Sequence, residues 1–500
     1  MSLKKNVLAN YLGQGWIALM GLAFVPLYIK YLGIEAYGLI GIFAILQAWL
    51  TLLDMGMSPT LSREMARHTA GAHTSQSIRD LLRSLEIISF ATALLIAITV
   101  WLSAEWFSVN WLHVEKLPVK EVAQAIAISG FVVALRFVES LYRGAILGMQ
   151  KQVWLSAVGA LLATLRGGGA VCVLAWVRPS IEAFFIWQGV ASVVTIITFV
   201  LAVYRHLPPS TKKAKFSWPQ LKNIWRFAGG MMATTLLVLL LMQVDKIILS
   251  RMLSLEMFGY YTLAGTVAAA LSLLTIPITQ AYYPRFTEMV AKGDNVGLIK
   301  IYHQGAQLVA VLIVPAALAL VLFSEIILLL WTGDVVLADK TAPLLTLLAV
   351  GMMLNSLMSI PYMLTLAYGW PGFAVRQNLI AVAIFVPSIL LVAPRYGAIG
   401  AAWIWVLLNA GYVLIAAHYL YRHLLENEKW RWYLRDVTLP IVAVVAVGGL
   451  LALLLPSTAS TLSHILWLVF SVLVMLITAL LSASDIRIIV LSRFGEWKSR

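Results

Sequence analysis

The 500-residue chain has little charge: 12% of its residues are Asp, Glu, Lys or Arg, against 61% hydrophobic. A water-soluble fold needs more polar side chains than that to cover its surface. It has one cysteine, Cys172, set in an apolar stretch, which excludes a disulfide framework and a cysteine-based metal site. No G-x-x-x-x-G-K-[ST] phosphate loop occurs, so ATP hydrolysis on this chain is excluded. There is no H-E-x-x-H and no D-x-D, and the eight histidines do not cluster at metal-ligand spacing. No metal and no cofactor are therefore expected. Acidic residues are the scarcer sign, 22 against 36 basic, giving a formal charge of +14. Such a surplus would suit nucleic acid, but these basic residues sit in short breaks between apolar stretches, so nucleic acid is not an expected partner.

The chain does contain apolar stretches recurring from Asn10 to Ser482. About fourteen can be counted, each of ~20 residues, the length a helix needs to cross ~30 Å of hydrocarbon. The expected class is an all-α integral membrane protein with about fourteen transmembrane helices. Its amino terminus reads as a retained first helix rather than a cleaved signal, because no small-residue cleavage site follows. Alternate breaks carry the cations: Arg63 with Arg67, Lys151, Lys212 with Lys213, Arg376, Arg431 with Arg435, and Arg487. The other breaks are poor in cations and often acidic, as at Glu35, Glu115, Glu182, Glu256 and Asp334. The positive-inside rule then places both termini in the cytoplasm. The outward breaks, the longest about 105–118 and 324–340, are too small for a catalytic domain, so an enzyme is not the expected reading.

The break Tyr31-Leu32-Gly33-Ile34-Glu35-Ala36-Tyr37-Gly38 is echoed by Met252-Leu253-Ser254-Leu255-Glu256-Met257-Phe258-Gly259. A second landmark, Pro59 to Met65, is echoed by Pro284 to Met289 at nearly the same separation. Six spans per copy insert both copies the same way up. Two parallel six-helix bundles follow, with a lobe at 1–210, another at 211–425, and two added helices plus a basic tail at 426–500. Parallel repeats of this kind occur in alternating-access transporters, whose substrate site lies between the halves.

Three charges share one face of the fourth span: Arg136, Glu139 and Arg143. Arg166 lies at matching depth on the fifth span, before Gly167, Gly168 and Gly169. An arginine near the bilayer centre costs on the order of 2.5–3.5 kcal/mol, so it faces a wet cavity or a partner. Glu139 can neutralise only part of this charge, and the remainder favours an anion. A structural Arg136–Glu139–Arg166 network is the plainer alternative. The glycines should weaken the helix, and irregular backbone at this depth lines a cavity or is buried in protein. Asn10, Gln14 and Gln47 add polar faces toward the same cavity. Asp54, late in its span, is a gate or coupling candidate, or simply a partner of Arg63. Gln243, Asp245 and Lys246 form a second gate or coupling candidate, with Asp245 and Lys246 as a pair or as interfacial residues.

The segments Asn10-Tyr11-Leu12-Gly13, Gly33-Ile34-Glu35-Ala36-Tyr37-Gly38, Leu53-Asp54-Met55-Gly56-Met57 and Arg63-Glu64-Met65-Ala66 have a familiar order. With Leu141-Tyr142-Arg143-Gly144, Asp245-Lys246 and Phe258-Gly259-Tyr260-Tyr261, the chain over about 1–425 resembles the polysaccharide (oligosaccharidyl-lipid) flippases. These belong to the multidrug/oligosaccharidyl-lipid/polysaccharide exporter superfamily. The resemblance implies two six-helix lobes around a central cavity in a bacterial or archaeal cytoplasmic membrane. It implies a polyprenyl-diphosphate-linked glycan as substrate, for O-antigen, capsule or exopolysaccharide, with Arg136, Arg143 and Arg166 meeting its anionic part. Membrane lipids, a glycan polymerase and a chain-length regulator are the implied partners, and proton or sodium coupling is left open. Rival readings are a small-molecule cation or drug antiporter of the same fold, a membrane glycan polymerase or ligase, and a non-transporting scaffold.

Overall fold

The structure is a computed structural model that describes residues 3–488, apart from Met55, 70–73, 208–212, 219–220, 222–235, 237–238 and 456–459. Among the described residues it is helical, with one isolated bridge, His113 to Ser254, and no strand. In chain order the helices begin α1 Leu3–Ala23, α2 Val25–Leu32, α3 Ile34–Leu53, α4 Met57–Thr69 and α5 Ser75–Asn110. They continue as α6 Val119–Gly148, α7 Gln152–Trp176, α8 Ile181–His206 and α9 over 239–252. Next come α10 Leu255–Ala269, α11 Ser272–Lys292, α12 Asn295–Leu322, α13 Ser324–Thr332, α14 Val335–Leu357 and α15 Ser359–Ala367. The last are α16 Pro371–Gly411, α17 Ala417–Tyr421, α18 Lys429–Arg431, α19 Leu439–Leu453 and α20 Thr461–Ser482.

Eleven of the described helical stretches are long and apolar enough to span a bilayer, and Ile34–Leu50 is a shorter apolar one. The protein is a multi-pass membrane protein. Val375–Tyr421, at 47 residues, is about twice what a bilayer needs, and it breaks where Gly397 takes φ 57°. About half of the expected seventh span, over 226–250, lies outside the described residues, so the count of fourteen is not fixed. Pro26 at the start of α2, and Gly33 at φ 82° before α3, divide what would otherwise be one long helix.

Two compact units emerge, Met1–Gly259 and Tyr260–Arg500. In the first, α6 is the hub: 56% of its apolar window is buried, against 28% for α5, and it packs on α3, α4, α5, α7 and α8. Gly144 and Gly148 bring the backbone of α4 against α6; a Cβ on either would lie 2.6 Å from Ser58 O or 2.2 Å from Ser62 O. Small residues four apart serve helix contacts in lipid, where close van der Waals approach replaces the hydrophobic drive. In the second unit α12 has the same part, with 67% of its window buried, and it packs on α11, α14, α15, α19 and α20.

The two copies of the repeated turn meet inside the first unit. A Cβ on Gly38 would lie 2.6 Å from Leu255 O, and one on Gly259 would lie 2.3 Å from Ile34 O. Both contacts obey the 221-position offset (256 − 35) that relates Glu35 to Glu256. A reciprocal contact is what a two-fold relation between the copies requires. Glu35 accepts from the backbone N–H groups of Glu115, Lys116 and Leu117 at 2.7–3.1 Å, while Lys116 Nζ reaches Glu256 at 2.5 Å. Trp111 Nε1 donates to Ser250 at 3.0 Å, and Leu255 N donates to His113 O at 2.8 Å. These bonds bind α9 and the start of α10 to the first unit.

Candidate functional site

The first unit holds a cavity of about 780 Å³ whose polar wall includes Gln47, Asp54, Arg136, Glu139, Arg143, Arg166 and Gln188. An adjoining hollow of about 280 Å³ shares Glu139, Arg143 and Arg166 and adds Gln14, Gln152 and Thr195. Five helices supply these side chains: α1, α3, α6, α7 and α8. Spacings of three and four residues on α6 put Arg136, Glu139 and Arg143 on its cavity face.

Arg136 and Arg166 are held in different ways. Arg166 Nη2 bonds Glu139 Oε2 at 2.9 Å and Thr195 Oγ1 at 3.3 Å, with the ion pair 22% and 15% exposed. Arg136 has no carboxylate within ion-pair distance among the described residues. Its Nη1 donates to Gln47 Oε1 and its Nη2 to Gln188 Oε1 at 2.9 Å, and the guanidinium lies 4.9 Å over the Phe43 ring. Neutral amides and an aromatic face stabilise a cation without cancelling its charge. The expected Arg136–Glu139–Arg166 network is therefore only the Glu139–Arg166 half. Glu139 reaches across to α7 instead of along its own helix. Nε of both arginines is buried without an acceptor, and exposed Arg143 has no polar partner among the described residues. With three guanidiniums against the carboxylates of Glu139 and Asp54, the formal surplus is positive.

The glycine run is not irregular: α7 passes through Gly167–Gly169 unbroken. Its glycines make room for rings. A Cβ on Gly167 would lie 2.3 Å from Phe24, and one on Gly169 would lie 2.1 Å from Trp187. Tyr28 then donates to Gly167 O and Trp187 to Arg166 O, each at 3.2 Å, which fixes the backbone that carries Arg166.

Asp54 does not take Arg63 as its partner. Its carboxylate accepts from Ser58 Oγ at 2.7 Å and Ser58 N at 3.1 Å, capping α4, while Arg63 approaches Glu64 at 4.0 Å. Gln14 is exposed and lines the smaller hollow; the side chain of Asn10 lies outside the described residues. Lys246 donates to Met242 O at 3.2 Å and Gln243 Oε1 at 3.4 Å, one turn back on α9, and Asp245 is buried. Adjacent helical residues point about 100° apart, so Asp245 and Lys246 do not face each other. Gln243, Asp245 and Lys246 do not line the cavity. Gln188 and Thr195 on α8, and Phe43 on α3, were not foreseen. Gln188 was visible as a lone amide in an apolar span, beside Trp187 and Gly189.

A family model described as "Polysaccharide biosynthesis protein" matches residues 3–290. The chain belongs to that family. It is 20% identical over 407 residues to the "Putative O-antigen transporter" of Shigella flexneri, covering 81% of this chain and 94% of that one. Among solved structures, the lipid II flippase MurJ in an inward closed conformation superposes with a TM-score of 0.73. That match has 13% identity and covers 95% of this chain and 99% of MurJ. An inward-facing multidrug-resistance MATE transporter of the MOP superfamily gives a TM-score of 0.65 at 14% identity, covering 81% and 95%. These likenesses establish the fold, which is the one the sequence led us to expect.

Proposed function

We propose that this protein is a flippase that carries a polyprenyl-diphosphate-linked oligosaccharide across a bacterial cytoplasmic membrane by alternating access. The observation that carries the reading is Arg136: a cation beside a 780 Å³ cavity, held by two glutamine oxygens and a phenyl face instead of a carboxylate. An intramembrane charge left uncancelled at a cavity is costly and marks a pathway for its opposite. A diphosphate presents several acceptor oxygens to exposed Arg143 and to the cavity-lining guanidiniums of Arg136 and Arg166, in the fork geometry that guanidinium suits. Family membership, the O-antigen relative and the MurJ fold support the same substrate class. On this reading the anionic headgroup enters the wet cavity, the lipid tail stays in the bilayer, and Asp54 holds the end of α3 against α4. A proton or sodium gradient, or consumption of the product by a polymerase with its chain-length regulator, fits as the driving force. The cation-antiporter reading would need carboxylates left uncompensated in the cavity, and here Glu139 is paired and Asp54 caps a helix.

The test is leaflet location of the lipid-linked glycan in cells lacking the protein. Accumulation on the cytoplasmic face is expected. Accumulation of unpolymerised units on the outer face overturns the flippase reading in favour of a polymerase.

A further inference from the structure

A second group of ionisable side chains, none of which lines the cavity, lies in the unit Tyr260–Arg500. His303 on α12 has no exposed surface, and both of its ring nitrogens face carboxylates. Nδ1 meets Asp436 Oδ2, which is equally buried, and Nε2 meets Glu428 Oε2 at 2.9 Å. Hydrogen-bond chemistry fixes the proton count. A neutral imidazole carries one N–H and one lone pair, and an ionised carboxylate has no proton to give. Two nitrogen-to-oxygen bonds therefore need two protons among the three groups, as an imidazolium between carboxylates or a neutral imidazole beside one carboxylic acid. Which atom carries the second proton is a property of the coupled triad, not of one residue. Removing it would set a lone pair against a carboxylate oxygen at a ring that has no exposed surface.

We propose that His303, Asp436 and Glu428 form a proton-binding site, which holds one proton beyond the imidazole's own and seats the last two spans on α12. The surroundings support this. Gln307 donates to Asp436 Oδ1 at 2.9 Å, and its own carbonyl accepts from Asp485 N at 2.8 Å, so the end of α20 joins the same network. Arg431 lies 3.6 Å from Glu428 and 3.1 Å from Asp485. On the remaining side, the Tyr302 and Tyr421 hydroxyls satisfy each other at 2.5 Å. Triad, Arg431 and Asp485 together carry one negative charge with the extra proton and two without it. The site lies within one unit and is independent of the cavity reading, so either can fail alone.

The decisive variant is Glu428→Gln, which keeps the shape and supplies an amide N–H to Nε2, so a neutral imidazole suffices and no extra proton is needed. The measurement is the thermal midpoint of the full-length protein in detergent micelles between pH 5.5 and 9.5. Above the ordinary histidine pKa of about 6.5 the folded wild type binds one more proton here than the unfolded chain, so the site's stability is full below that pH and lost as pH rises beyond it. The limit is about tenfold in the folding equilibrium per pH unit for one proton. We expect the wild-type midpoint to fall with rising pH and the Glu428→Gln midpoint to fall less. Parallel curves overturn the proposal. Should the variant not accumulate, the ¹⁵N spectrum of histidine-labelled wild type and its infrared spectrum at pH 8 decide. A doubly protonated imidazole or a carboxylic-acid band is expected; eight neutral histidines and no such band overturn it.

Discussion

Gln47→Glu separates the two accounts of Arg136. The change is isosteric and leaves an oxygen where Arg136 Nη1 already donates. If Arg136 is a packing residue, a carboxylate there strengthens its bond and the protein should be as stable and as active as before. If its charge must stay available to an anion, the same carboxylate cancels it. Take an anion on the far side of the guanidinium, at an assumed separation of about 8 Å from the new charge. At an effective dielectric constant near 20 the repulsion is then about 2 kcal/mol per negative charge. That corresponds to roughly a thirtyfold loss of apparent affinity for a singly charged group, and more for a diphosphate. The assay is translocation of a lipid-linked glycan in proteoliposomes at several substrate concentrations, with thermal midpoints measured on the same preparations. We expect an unchanged or raised midpoint with a strongly raised apparent KM. Wild-type transport in a well-folded Gln47→Glu protein would refute the idea that Arg136 acts through its free charge.

Gln188→Glu should act like Gln47→Glu, because Gln188 Oε1 holds the other nitrogen of the same guanidinium; the same transport assay reads it. Gly148→Ala sets a Cβ 2.2 Å from a backbone oxygen of α4, which cannot swing aside, so lower membrane abundance and a lower thermal midpoint are expected. Glu35→Ala leaves three loop N–H groups without their acceptor, at a cost on the order of 1–3 kcal/mol, and limited proteolysis of residues 111–118 should accelerate. A protease-resistant loop in that variant would show that the Glu35 bonds do not hold it.

What the sequence revealed of the fold rests on signals that are local or periodic. Apolar runs report spans because lipid removes every other way to satisfy the backbone. The echo of Glu35-x-Tyr37-Gly38 in Glu256-x-Phe258-Gly259 reported a repeated turn, and the reciprocal glycine contacts now give it a spatial meaning. The cavity cations were legible because arginine at membrane depth is rare whatever surrounds it. Their partners were not. Glu139 lies three residues from Arg136 and 27 from Arg166, yet it bonds the latter, a choice made by the packing of α6 on α7. Gln188 is 52 residues from Arg136, and nothing local distinguishes it from an amide facing lipid headgroups. The glycine run misled for a related reason. Glycine weakens an isolated helix, but here rings of Phe24 and Trp187 fill the space the missing side chains leave. His303 and Asp436, 133 residues apart, come together only when the last spans fold back onto α12.

Three arrangements in this one chain show how a membrane protein can bury charge, and they differ in what each leaves available. Arg166 is paired with a carboxylate, which lowers its cost and spends most of its field locally. His303 is placed between two carboxylates, so that charge becomes a matter of proton occupancy. Arg136 is solvated by amides and a ring, a substitute for water that fixes the cation in place while leaving its field intact toward the cavity. Only the last arrangement presents a permanent charge that no carboxylate cancels, and it lies beside a space large enough for a headgroup. A transport site must bind its ligand and then release it. Amide ligands suit that need, because Gln47 and Gln188 keep Arg136 satisfied when the anion leaves, whereas a bare guanidinium would hold the anion until water replaced it. A carboxylate in either place would make the empty site too stable to bind. Variants that strengthen the hold on Arg136 should therefore slow the cycle at the binding step, whereas Arg136→Lys, which keeps the charge but loses the fork, should bind more weakly and release faster.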